Sequence, residues 1–146
     1  MNPNMARALA GGVVGTAAMT MMMYVVAPRM MGMEMDIAAM LGSMLGGSWA
    51  AGMAMHVALG SLAFPLVYAL GLYGVLPGSP VVRGAIWGFI LFLSAQAVVM
   101  PMMGAGFFSS HMGGPMAVAG SLVGHLVYGT LLGAIAGGAE SRVAHA

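Results

Sequence analysis

Apolar residues run along this chain in four long windows, Ala8–Ala27, Ala50–Leu72, Val81–Met103 and Met116–Ala136. About 20 such residues in helical form cross the roughly 30 Å hydrocarbon core of a bilayer. Backbone groups in lipid find no water to bond, so windows of this length fold as helices. Turn-forming residues punctuate them. Pro28 follows the first window, Leu76-Pro77-Gly78-Ser79-Pro80 separates the second from the third, and Gly113-Gly114-Pro115 precedes the fourth. The pattern predicts an all-α membrane protein: a bundle of four transmembrane helices forming a single domain over residues 1–146. A shorter amphipathic stretch, Ile37, Met40, Leu41, Met44 and Leu45 with Asp36 as N-cap, predicts a fifth helix. It is too short to span, and is expected to lie in the interface or dip back into the bundle.

Charge sets the expected orientation. Arg7, Arg83 and Arg142 fall on one side of four spans and Arg29 on the other. The positive-inside rule then places both termini and the Gly71–Pro80 loop in the cytoplasm, in what is expected to be a prokaryotic cytoplasmic membrane. The first window, behind Arg7, has the look of a signal peptide, but it is long enough to span and three more windows follow. It is read as a retained helix.

Composition narrows the function. Residues are 61% hydrophobic and 5% charged, with a mean hydropathy of +0.99, where a soluble domain carries about 25% charged residues. A net charge of +1 provides no basic patch for nucleic acid. Cysteine is absent, which removes disulfides, thiolate metal sites and thiol nucleophiles. No nucleophile elbow, phosphate loop, HExxH or dinucleotide fingerprint occurs, so no enzymatic activity is expected. Glu34, Asp36 and Glu140 all lie outside the windows, which argues against ion-coupled transport. Glu34, Asp36 and Arg29 read as a solvated charge cluster.

Glycine predicts close packing. Gly11/Gly15, Gly84/Gly88, Gly120/Gly124 and the ladder Gly129/Gly133/Gly137 are spaced by four, which lets helix backbones touch. The ladder is expected to meet a partner helix, within the chain or in another transmembrane subunit. A weak repeat accompanies it. Pro28-Arg29-Met30-Met31-Gly32 closes the first window and Pro101-Met102-Met103-Gly104 the third. His56 precedes Gly60 in the second, and His125 precedes Gly129 in the fourth. Each half then reads as a duplicated helical hairpin related about the membrane normal.

Methionine and histidine carry the candidate chemistry. Of 19 methionines, all but Met1 and Met5 lie between Met19 and Met55 or between Met100 and Met116, the outer half in the expected topology. Methionine is a flexible apolar filler suited to irregular partners. Thioethers are also soft ligands that select Cu(I). Met30, Met31, Met33, Met35, Met102, Met103, His111 and Met112 are accordingly the candidate copper ligands. His56 and His125 are the ionisable residues well inside windows, about 10 and 14 Å deep. As a pair they offer axial ligands for haem b or a metal. Alternatively each ring is satisfied by a hydrogen bond across a helix contact, with Tyr68, Tyr128, Ser61 and Gln96 available. That second outcome, with no bound cofactor, is the expectation.

The stretches 38–46, 76–84, 100–108 and 120–129, together with His56, resemble a family of small four-helix membrane proteins of unknown function. The resemblance covers nearly the full chain and transfers no catalytic residue. It implies an association with haem-copper oxidases or other respiratory components. The functional expectation is a non-catalytic accessory subunit of a larger membrane complex, most naturally an electron-transfer complex. Its contacts would be lipid and other subunits, met through the Gly129, Gly133 and Gly137 face and the Met-rich outer half. The alternative is a membrane protein that handles Cu(I) or binds haem b, and a small transporter ranks below both.

Overall fold

The computed structural model describes residues 4–32 and 36–137, and every element among them is helical. Helix α1 (Met5–Arg29) is followed by the short α2 (Ile37–Ser43), then α3 (Trp49–Leu72), α4 (Pro80–Met102) and α5 (Gly114–Ala136). The four long helices are each apolar and long enough to cross a membrane, so the protein is an integral membrane four-helix bundle. Neighbours run antiparallel. Asn4, the turn before Pro80 and Gly137 share one end, here the terminal face, and α2 and residues 103–113 occupy the other, the loop face.

Helix starts follow local chemistry. Asn4, Asp36, Ser48 and Ser79 accept hydrogen bonds from the backbone N–H groups of Arg7, Ala39, Ala51 and Val82, at 3.3, 2.9, 3.2 and 3.4 Å. Asp36 is thus the cap the sequence predicts. The helix it starts is shorter than its apolar pattern, because Met44 and Leu45 fall beyond it and are exposed.

The ends of the spans correct the sequence reading. Pro28 does not end the first helix; the chain continues helically to Met31 and stops at Gly32, whose φ of 64° only glycine adopts freely. Proline lacks an N–H, and its ring collides with the carbonyl four residues back. The helix accommodates this by widening to a π-turn just upstream. Three spans use the device: Met22–Val26 before Pro28, Leu59–Ala63 before Pro65, and Ala95–Val99 before Pro101. In each, an amide reaches the carbonyl five residues back: Ala27 to Met22, Phe64 to Leu59, and Met100 to Ala95. Under α3, the Gly60 carbonyl is the one that a Pro65 amide would have met, and Tyr128 Oη donates to it instead at 2.7 Å.

Close packing runs in the order α3, α1, α5, α4, with no comparable contact closing α4 back onto α3 among the described residues. Glycine sets the separations. A methyl group at Gly129 would lie 2.8 Å from Gly88 Cα, and one at Gly133 would lie 2.8 Å from Gly84 Cα. One at Gly137 would strike the Pro80 ring. The ladder of α5 is therefore covered by α4 of the same chain. Contact with other subunits, which the sequence reading assigned in part to these glycines, would have to use another surface. On the opposite side of α5, Gly11 and Gly15 of α1 meet Leu132 and Tyr128.

The solid part of the core lies toward the terminal face, in Ala8, Tyr68, Tyr73, Trp87, Leu132 and Ala136. Arg83 stacks over the Tyr73 ring at 5.0 Å, and Arg7 Nε donates to the Ile135 carbonyl at 2.8 Å. Toward the loop face the same helices enclose a cavity.

Candidate functional site

The cavity has a volume of about 390 Å³ and draws its walls from all four spans. α1 contributes Met19, Met22, Met23 and Val26, spaced i, i+3, i+4 and i+7 on one face. α3 contributes His56, Leu59 and Gly60, and α4 contributes Leu91, Ala95, Val99 and Met100. α5 contributes Met116, Gly120, Ser121, Gly124 and His125. The π-turns at Met22–Val26, Leu59–Ala63 and Ala95–Val99 border it; a fourth, Tyr68–Leu72 in α3, has no proline directly after it and does not. Gly124 is open to it: a methyl group there would meet only the Met19 side chain, at 3.6 Å.

Two loop-face elements roof the space. Ile37, Met40 and Leu41 of α2 form part of its lining. Helix α2 is seated on the start of α3 because Gly42 and Gly52 let the backbones meet; side chains there would collide with Ser48 and Ala38 carbonyls. Asp36 fastens this lid. Its carboxylate accepts from Tyr24 Oη, from the Ala39 amide, and from Trp49 Nε1 at 3.1 Å. Burial pushes its pKa up, but these donors outweigh burial and hold the carboxyl below its usual range. The second roof element is the turn Phe107–Ser109, where Ser109 Oγ donates to the buried Gln96 Oε1 at 2.8 Å. Phe108 and Ser109 both have positive φ, 51° and 52°, so this turn is held in an uncommon conformation.

The lining residues that are exposed are clustered. Met112 (37%), Met116 (51%), Ala119 and Val123 (49%) all lie at the start of α5 or just before it. The cavity therefore opens along the outer end of α5, across from Met19 and Met22 of α1.

Both span histidines line this one cavity, and each has a protein oxygen at hydrogen-bond distance. Their partners are not the ones expected from the sequence. His56 Nε2 lies 3.1 Å from Thr20 Oγ1, and His125 Nδ1 lies 2.8 Å from the Ser121 carbonyl of its own helix. Tyr128 is taken by Gly60, and Gln96 by Ser109. The tautomers follow from donor counting. Thr20 Oγ1 has one hydrogen, given to the Thr16 carbonyl at 2.7 Å, so it accepts from His56 Nε2–H. A carbonyl only accepts, so His125 carries its hydrogen on Nδ1. In the neutral rings, the remaining nitrogens are lone-pair bases: Nδ1 of His56 and Nε2 of His125.

Of the methionine set proposed from the sequence, Met112 lines the cavity. Met33 and Met35 lie outside the described residues, and Met30 and Met31 lie in the last helical turn, just past Arg29. Met102 is 65% exposed and His111 is exposed, and neither of them nor Met103 lines the cavity. Of the thioethers that line the cavity with the histidines, Met19, Met22, Met23, Met100 and Met116 belong to the spans, and Met40 and Met112 to the loop-face segments. Among the described residues no three His, Cys, Asp or Glu side chains converge as metal ligands.

Fold and cavity define a polytopic helical membrane protein whose distinguishing site is internal and apolar, edged by two imidazoles. Residues 2–146 match the family of unknown function DUF6789, and the chain belongs to that family. No curated protein and no solved structure matches the chain.

Proposed function

We propose that this protein is a non-catalytic, membrane-embedded binding protein that receives a small guest from the side of the loop face. The observation that carries this reading is the cavity of about 390 Å³ bounded by all four spans. Its size and apolar lining with a few polar groups fit small-molecule sites, which run from about 300 to 1,000 Å³. With the termini cytoplasmic, as the arginine distribution predicts, the guest arrives from the outer side. Native mass spectrometry of the purified protein tests it, with Gly124→Leu as the variant. A Cβ at 124 meets only the Met19 side chain, at 3.6 Å, and no backbone, so a larger side chain there starts into the cavity. The wild-type chain is expected to carry a bound mass that the folded variant lacks. Identical, adduct-free spectra would remove the reading.

A second reading, an accessory subunit of an electron-transfer complex, is favoured by exposed apolar side chains near the loop face. Met102 and Phe107 are 65% and 63% exposed there. Such residues suit a partner subunit. Copurification from native membranes, compared with a Met102→Ser/Phe107→Ser double variant, distinguishes a specific partner from lipid contact.

A further inference from the structure

The two histidines specify what the cavity can hold. Each spends its only ring N–H on a protein oxygen, so the other ring nitrogen of each offers an electron pair. A guest held by these two rings is therefore an electron-pair acceptor. The walls add sulfur. Met19 packs against the position of Gly124, beside His125, and adjoins Thr20, which fixes His56. Met19, His56 and His125 all line the same cavity. No carboxylate lies in any span, so a divalent ion would sit there with its charge uncompensated. Two neutral nitrogens and thioethers suit a soft monovalent cation.

We propose that the cavity binds one Cu(I) ion through His56 Nδ1, His125 Nε2 and the thioether of Met19, with Met112 and Met116 at the mouth as the way in. This assignment rests on the proposed binding function and names its guest. Thr20 acts as a positioning residue: its hydroxyl holds the proton on Nε2 of His56 and so keeps Nδ1 free. The ion enters already reduced, and binding involves no electron transfer. This set differs from the loop methionines singled out in the sequence, since it needs neither His111 nor Met102.

The test is anaerobic titration of the full-length protein in detergent with Cu(I), in competition with a colorimetric Cu(I) chelator. The wild-type chain is expected to withhold one equivalent, and X-ray absorption at the copper edge should show mixed nitrogen and sulfur ligation. Met19→Leu and His125→Leu should abolish retention. Thr20→Val, which keeps shape and loses the acceptor, should weaken it by about 10–100-fold, the usual cost of removing an outer partner of a ligating histidine. His111→Leu and Met102→Leu should leave it unchanged. If the histidine variant fails to fold, Met19→Leu and Thr20→Val still decide the matter. Retention that survives Met19→Leu and Thr20→Val but falls with His111→Leu would overturn the proposal. So would a wild-type protein that leaves all copper with the chelator. If that protein still carries a mass that Gly124→Leu removes, the binding function stands and the copper assignment alone fails; if it carries none, both fail.

Discussion

Replacing Gly129 with alanine adds one methyl group at the crossing of α4 and α5. That methyl would lie 2.8 Å from both Gly88 Cα and Gly88 N, and would overlap the Gly84 carbonyl oxygen. Carbon atoms in contact sit about 3.5–4.0 Å apart, so the helices must separate by about 1 Å at this point. The crossing continues through Gly133 and Gly84, so the displacement spreads along the whole seam. Overpacking of this kind costs about 1–3 kcal/mol. Gly124→Ala on the same helix is the control, because its methyl meets only the flexible Met19 side chain at 3.6 Å. Both substitutions gain the same helix propensity, about 0.8–1 kcal/mol on soluble scales. Their difference therefore isolates the crossing. Reversible unfolding in mixed micelles with increasing dodecyl sulfate, followed by the fluorescence of Trp87 beside Gly88, reads it directly. Gly129→Ala should unfold at a lower sulfate fraction than Gly124→Ala. Coincident transitions would mean that backbone approach at Gly129 does not hold α4 to α5.

Tyr128→Phe leaves the Gly60 carbonyl without its donor, and should destabilise the bundle by about 1–3 kcal/mol. In a Pro65→Ala background the new amide can serve that carbonyl, so the same substitution should cost less; an equal loss in both backgrounds would sink the proline argument. Protonating Asp36 should loosen α2. Its folded pKa is depressed, so its contribution is fully present above the unfolded value of about 3.9 and is lost as the pH falls through the lower folded value. Trp49 emission in a Trp87→Phe background should hold steady from neutral pH to about 4 and change below it, and Asp36→Ala should show the acid spectrum at every pH.

The four spans were legible because the bilayer imposes one length and one backbone geometry on each. The windows read from hydropathy differ from the helices by three residues or fewer at either end. The end of α1 was misread because proline was taken as a stop, whereas a π-turn upstream lets the helix pass through it. Spacing of glycine predicted contact and was right about its existence, but a ladder has no address. Gly133 pairs with Gly84 of its own chain, and nothing in the four-residue spacing distinguishes that from a second subunit. At the site, His56 and His125 could be found because ionisable residues are rare in spans. Their partners could not, because Thr20 lies on a different helix from His56, and His125 uses the backbone carbonyl of Ser121, a group every residue carries. The loop methionines drew attention by density. The periodic face Met19, Met22, Met23 and Val26 carried the better signal, since helical spacing says which thioethers share a wall.

The distribution of two residue types accounts for a bundle that is solid at one end and hollow at the other. At the terminal face, glycines bring α1, α4 and α5 close enough for Leu132, Tyr68 and Tyr73 to be sealed off completely. Around the cavity, wide turns upstream of prolines 28, 65 and 101 interrupt the α-helical register of three of the four spans. Helix α5 carries its own proline only at its start, where no amide is lost, and stays regular for 23 residues. One straight helix against three widened ones cannot keep contact along its whole length, and the space that results is the cavity. Methionine fits its walls because an unbranched thioether follows an irregular surface that branched side chains would leave with voids. It also places polarisable sulfur around the two imidazoles without any dedicated loop motif.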